Sequence, residues 1–298
     1  QSAFYGLVID TSGNIYAAGS QAQNGTFNYS AGVSAAGVET VGTNAVIVKY
    51  DATGAAIWAK STTAGAGQTV FNALAVDNSG NLYAAGQQFA GGSVNYSAGV
   101  AVTGAYNGGG YNSNVLLVKY DAAGNAVWAR STTGGSTYSS YGAVTVDVSG
   151  NVYAAGYQTT NNTFSYAPGV TATAAITSDN NALLVKYDAS GNAIWARSTA
   201  SGTTPSSFSD ITTDASGNIF AVGATNFSGN LSFGNSATLS SIRTAGIIFV
   251  KYDSSGTAQR AIGLVSAPSF SGFNAALADS SGNVYAAGSQ SGSGSFDY

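Results

Sequence analysis

Apolar residues in this chain come in short bursts, each stopped by a polar turn that carries Asp and Gly. The stretch from Tyr141 to Asn192 shows the pattern. Tyr141 to Val146 (YGAVTV) is rich in aromatic and β-branched residues and ends at Asp147, which predicts a strand. Asp147-Val-Ser-Gly-Asn151 is a tight turn, with Gly150 able to take the positive φ that other residues resist. Val152-Tyr-Ala-Ala155 is the return strand. A polar stretch containing Phe164-Ser-Tyr166 follows. Then come Ala182 to Tyr187 (ALLVKY), the turn Asp188 to Asn192, and Ala193 to Arg197 (AIWAR). The pattern predicts two hairpins, with strands A, B, C and D, joined by a B–C connection of roughly 25 residues.

This unit recurs. The first turn opens at Asp10, Asp77, Asp147, Asp214 and Asp279, at intervals of 65 to 70 residues. A Lys-Tyr-Asp-[Ala/Ser]-x-Gly turn alternates with these first turns, with its Asp at Asp51, Asp121, Asp188 and Asp253. One repeat domain over residues 1–298 is therefore expected, with copies at about 1–67, 68–138, 139–205 and 206–269 and a half copy at 270–298.

Large side chains recur in register. Strand A carries Phe4, Phe71, Tyr141, Phe208 and Phe273; strand B carries Tyr16, Tyr83, Tyr153, Phe220 and Tyr285, each followed by two small residues and Gly. Strand D carries Trp58, Trp128 and Trp195. Burial at about 25 cal/mol per Å² makes such aromatics the main source of packing energy. Apolar residues on both faces of a four-stranded sheet require a neighbour on each side, and small residues let neighbours approach. An all-β fold is expected, a β-propeller of four-stranded antiparallel blades. The alternative is an open β-repeat stack or solenoid, whose coils of about 20 to 30 residues fit the period less well.

The succession Ala182-Leu-Leu-Val-Lys-Tyr-Asp-Ala-Ser-Gly-Asn-Ala-Ile-Trp-Ala-Arg197, followed by Asp214-Ala-Ser-Gly-Asn-Ile-Phe220, resembles the bacterial SBBP-type β-propeller repeat family. Nine alternating turn motifs extend the resemblance over the whole chain. It implies a propeller and an exported protein of bacterial type, and it implies no catalytic residues. Two features depart from the family pattern. Gln259-Arg260-Ala261 stands where other copies have Ile/Val-Trp-Ala, and four and a half copies fall short of the seven blades for which the family is named. For the half copy three accounts stay open: a piece of a longer array, a five-bladed ring with a two-stranded blade, or strands C and D supplied by another subunit. The third would make Phe296, Asp297 and Tyr298 an assembly interface, because an unpaired edge strand templates strand addition.

Composition narrows the chemistry. Charged residues are 7% of the chain, 9 basic against 13 acidic, for a net charge of -4. With no basic stripe, nucleic acid is not expected as a partner. No apolar run reaches the length of a membrane-spanning helix, and pairs such as Ile15-Tyr16 and Val46-Ile47-Val48 break the alternation of a membrane β-barrel wall. Surface polarity without charge fits an extracellular or cell-surface location. The absence of His and Cys removes imidazole bases, Ser-His-Asp triads, thiol nucleophiles and most zinc sites. Most Asp residues are committed to turns, leaving Glu39, Asp179, Asp210 and Asp297. Asp210 replaces Gly6, Ala73, Ala143 and Ala275 at its position in strand A, where it is either a solvated polar substitution in a degenerate copy or a functional carboxylate facing a central channel. One carboxylate per turn is thin for Ca²⁺, so turn capping is expected and no cofactor.

Tyr29, Tyr96, Tyr166 and Phe233 recur in the B–C connection. They are either ligand-facing aromatics or anchors that hold the connection on its own sheet. The expected function is non-enzymatic: an exported structural or surface-assembly protein, a subunit of an extracellular filament or sheath completed by strand pairing between subunits. Expected partners are further copies or other surface proteins. The alternative is a glycan-binding lectin or adhesin module.

Overall fold

The computed structural model describes residues 1–89, 91–108, 112–177, 179–226, 228–242, 246–263 and 271–291, with the side chains at 241 and 242 excepted. Every regular element among them is a β-strand. They divide into two compact units: Gln1–Val152 with Ala189–Asn192, and Tyr153–Asp188 with Ala193–Tyr298.

Copy 1 comprises β1 (Ser2–Ile9), β2 (Ile15–Ala22), β3 (Thr26–Ser30), β4 (Val33–Ala36), β5 (Thr43–Tyr50) and β6 (Ala56–Ser61). A two-residue strand, β7 (Ala64–Gly65), precedes copy 2, which comprises β8 (Thr69–Val76), β9 (Leu82–Phe89), β10 (Ser93–Ser97), β11 (Val100–Thr103), β12 (Ser113–Tyr120) and β13 (Ala126–Arg130). Copy 3 comprises β14 (Ser139–Val146), β15 (Val152–Thr159), β16 (Thr163–Ala167), β17 (Val170–Thr173), β18 (Asn180–Tyr187) and β19 (Ala193–Ser198). After β20 (Ser201–Gly202), copy 4 comprises β21 (Ser206–Thr213), β22 (Ile219–Thr225), β23 (Gly229–Ser232), β24 (Thr238–Ile242), β25 (Ile247–Tyr252) and β26 (Ala258–Gly263). The half copy holds β27 (Ser271–Ala278) and β28 (Val284–Gln290).

Copies 1, 2 and 4 each build an antiparallel four-stranded sheet in the order A-B-C-D, namely β1-β2-β5-β6, β8-β9-β12-β13 and β21-β22-β25-β26. The two hairpins per copy that the sequence predicts are therefore present. The B–C connection holds more than the sequence reading allowed. It folds into a further hairpin, as in β3–β4, β10–β11, β16–β17 and β23–β24. The short strands β7 and β20, which follow strand D of one copy, pair with β10 and β23 of the next.

The turns form as their residues dictate. In the A–B turn of copy 1 the Asp10 carboxylate accepts from the backbone amides of Ser12 and Asn14 and from the Asn14 side chain, while Gly13 sits at φ 82°. The Asp77, Asp214 and Asp279 turns repeat this set. Each pair of strands thus closes on its own local hydrogen bonds, independent of the rest of the chain.

In copies 1, 2 and 4 strand B is buried on both faces. Leu82, Tyr83, Ala84 and Ala85 are all fully buried, as are Val115 to Val118 of the paired strand C, where Leu117 and Val118 face Ala85 and Ala84. The Gly that ends each small-residue run has a specific cause. Strand A slips register in copies 1, 2, 4 and 5, between Phe4 and Gly6, Phe71 and Ala73, Phe208 and Asp210, and Phe273 and Ala275. The bulge brings a strand A carbonyl over the strand B Gly, so a methyl group at Gly86 would overlap the Val70 carbonyl oxygen. Gly19, Gly223 and Gly288 face the same contact from Ala3, Ser207 and Gly272.

Sheets stack through these faces. Within the first unit, Tyr16, Ala18 and Ile47 of copy 1 pack in one cluster with Phe71, Leu74 and Leu82 of copy 2. Within the second unit, β27 lies across β21 and β22. We expect Gly86→Ala to cost about 1–3 kcal/mol in urea unfolding, because the added methyl must push apart two paired backbones. A loss no larger than that of an exposed turn substitution would refute the bulge contact.

Candidate functional site

The side chains with chemical capacity converge on the junctions between successive copies. Strand C and strand D of copy 2 present Lys119, Trp128 and Arg130 to the C–D turn of copy 3. Trp128 Nε1 donates to the Ala189 carbonyl at 3.2 Å and Lys119 Nζ to the same oxygen at 3.3 Å. Arg130 Nε donates to the Gly191 carbonyl at 2.6 Å and its Nη2 to that of Ser190 at 3.0 Å. The turn glycine lies against the indole, where a Cβ on Gly191 would sit 2.7 Å from the ring.

Copy 3 grips copy 4 in the same way. Trp195, Lys186 and Arg197 donate to carbonyls of Ser254, Ser255 and Gly256. Copy 1 uses Trp58 and Lys60 around Gly124. Each Arg also lies over its own Trp ring, at 5.3 Å for Arg130 and 5.2 Å for Arg197. A stacked guanidinium with carbonyl partners couples apolar burial to directional bonds in one grip. At the Trp register position copy 4 has Arg260, paired with Lys251 as Trp58 is with Lys49.

A second fastening joins the start of strand A to strand C of the preceding copy. The Ala45 amide donates to Thr69 Oγ1, that of Val115 to Ser139 Oγ, and that of Ala182 to Ser206 Oγ. Asp210 makes a different link, from strand A of copy 4 to strand A of the half copy. It is set by the bulge in β21 and accepts from the Ala276 amide of β27 at 2.8 Å and from the Ile211 amide. Burial raises its pKa, and those two amides offset part of the rise.

The other carboxylates outside the turns are also held by backbone. Glu39 accepts from the amides of Val41 and Gly67, and Asp179 from that of Asn180. Asp297 lies outside the described residues, as do Phe296 and Tyr298. Among the described residues no group of three or more acidic side chains could hold a metal ion. No helix of the described residues is long and apolar enough to cross a membrane. A cleft of about 420 Å³ in the first unit is lined by Lys60, Ser61, Thr62, Thr63 and Asn125, with no carboxylate among its lining residues.

The recurrent aromatics of the B–C connection turn inward. Tyr96, Tyr166 and Phe233 are buried. Tyr96 lies 6.2 Å from Phe71, and Phe233 stacks 5.9 Å from Phe208. Tyr29, half-buried, lies 6.0 Å from Phe4. Two of the tyrosines cap a buried Gln at the end of strand B: Tyr29 Oη donates to Gln21 Oε1 at 3.0 Å and Tyr166 Oη to Gln158 Oε1 at 2.7 Å. In copy 2 the equivalent Gln88 turns its amide to the Gly92 carbonyl, and Tyr96 Oη is left buried without a partner. No protein-family model matches the chain, and no curated protein matches it.

The aromatic pairs give a contrast. Tyr166→Phe leaves Gln158 Oε1 unpaired and is expected to cost about 1–3 kcal/mol, whereas Tyr96→Phe removes an orphan hydroxyl and is expected to be neutral or stabilising. Chemical denaturation of both variants checks this; equal losses would contradict it.

The turns give a pH dependence. Partial burial opposes the charge on Asp10, but bonds from Asn14, Tyr16 and Ser12 outweigh it and hold the carboxyl at about 2. Asp77, Asp121 and Asp214 are lowered against the same opposition, and Asp51, Asp253 and Asp279 are lowered chiefly by side-chain hydrogen bonds from Thr53, Ser255 and Asn283. A carboxyl lowered on folding stabilises the protein above its unfolded pKa, and that stability is lost as pH falls through the folded one. The melting temperature is therefore expected to hold above about pH 5 and to drop steadily between about pH 4 and pH 2. A melting temperature that rises on acidification would overturn the assignment.

Proposed function

We propose that this chain is an exported, non-enzymatic β-propeller of the SBBP-like kind with a structural role, a subunit of an extracellular filament or sheath at the cell surface. The observation that carries the reading is where its reactive side chains are spent. Lys119, Lys186, Arg130 and Arg197 bind turn carbonyls of the next copy. The turn carboxylates bind their own backbone, and Asp210 binds the amide of Ala276. Little is left over for turnover chemistry, which needs a poised acid or nucleophile beside a substrate. What remains outward is largely Ser, Thr and Asn with scattered apolar side chains such as Tyr5, Val41 and Val148.

Completion of the half copy by a strand from another subunit extends this reading, since β28 pairs only with β27 among the described residues. A glycan-binding module would present aromatic faces to solvent. Tyr96, Tyr166 and Phe233 turn theirs to the interior instead, which favours the structural reading.

Electron microscopy of the purified chain at high concentration tests the proposal. Filaments or sheets are expected; single particles under all conditions, together with hydrolytic or transfer activity on any substrate class, would reverse it.

A further inference from the structure

Copies 1 and 2 both lie within the first compact unit, and the junction between them departs from the others. Arg130 and Arg197 each donate to two turn carbonyls of the following copy. Copy 1 has the shorter Lys60 at this position. Its stem lies along the turn, with Cε 3.0 Å from where a Cβ on Gly124 would sit. Its ammonium donates to no group among the described residues. The carbonyls of Ala123 and Gly124, which correspond to the two that Arg130 binds, accept from no side chain among the described residues.

Lys60 and Gly124 line the cleft of about 420 Å³ between these copies. The neighbouring polar groups have already committed their hydrogens. Thr62 Oγ1 donates to Asn44 Oδ1 and Thr63 Oγ1 to the Asn95 carbonyl. Ser97 Oγ donates to the Ala126 carbonyl, and Asn125 Nδ2 to Asp121 Oδ2. Each of the three hydroxyl oxygens, and Asn125 Oδ1, keeps lone pairs with which to accept. The cleft therefore offers several acceptors, one cationic donor, and an apolar floor from Ala35 and Ala59.

A matching ligand must bring many donors and one negative charge. We infer that this cleft binds a sugar acid, a uronic acid unit either free or within a polysaccharide. The carboxylate pairs with Lys60, and the ring hydroxyls donate to Thr62, Thr63, Asn125 and the Gly124 carbonyl. The C–H face of the ring rests on the two alanines. A neutral sugar leaves the ammonium unpaired, and a cationic ligand meets its repulsion with no carboxylate in the lining to offset it. The volume lies within the ordinary range of small-ligand sites. One chain suffices to form the cleft, so this site goes beyond the assembly reading and stands or falls apart from it.

Nuclear magnetic resonance titration of the isotope-labelled native chain tests it, with galacturonate, its trimer, the neutral galactose trimer and inorganic sulfate as probes. Saturable amide shifts at Thr63, Gly124 and Asn125 are expected with both acids. Tighter binding of the acidic trimer identifies a polysaccharide as the source, and equal affinity a free sugar acid. Lys60→Met, which keeps the apolar stem, is expected to weaken binding on the order of tenfold. Thr63→Val is expected to weaken it less, and an unchanged urea midpoint confirms that each variant folds. Should Lys60→Met unfold, Lys60→Gln takes its place. Four results overturn the inference: no saturable shift with either acid, equal affinity for the neutral trimer, sulfate binding as tightly as galacturonate, or acid binding that survives loss of the Lys60 charge.

Discussion

A sheet that is apolar on both sides cannot be stable alone, and this constraint governs the whole chain. Leu82 to Ala85 and Val115 to Val118 are buried without alternation, so the copy 2 sheet requires cover on each face. The repeat supplies that cover with more of itself. Everything else follows from making the approach close: alanines along strand B, a Gly under each strand A bulge, and an aromatic at each end of the sheet to fill the gap.

Apolar contact alone would let sheets slide over one another, and the sparse polar groups prevent it. Trp128, Arg130 and Lys119 fix the angle by gripping one turn at several carbonyls. Thr69 and Ser139 fix the register at the other edge by receiving a strand C amide. Each bond satisfies a backbone group that the stacking would otherwise bury unpaired, which is why so few charges suffice. Orphans mark the places where a copy departs from the common pattern, as at Tyr96 Oη and Ser271 Oγ.

Much of this was legible in the residues. The period, the paired hairpins and the turn-capping Asp could be read because each is local: five or six residues contain their own hydrogen bonds. The accessory hairpin was missed, although Tyr29-Ser-Ala-Gly-Val33 and Tyr96-Ser-Ala-Gly-Val100 repeat a turn whose glycines sit at φ 80° and 79°. Its flanking strands are short and largely polar, and they fold against strand D of their own copy, which lies beyond any local window. For the same reason the direction of Tyr96 and Phe233 could not be read, since a recurrent aromatic looks alike whether it faces solvent or its own strand A. Strand B glycines looked like spacers, and only the bulge opposite explains why Ala would not serve. Asp210 looked like a stray carboxylate in a channel; its partner, the Ala276 amide, lies 66 residues away.

The accessory hairpins end in glycines with open space around them: Gly32, Gly99 and Gly169 have nothing near the place a side chain would occupy. Their tips take no part in holding sheets together. Genetic drift can therefore lengthen or decorate them without disturbing the sheets beneath, and a foreign epitope spliced there would be displayed once in each copy.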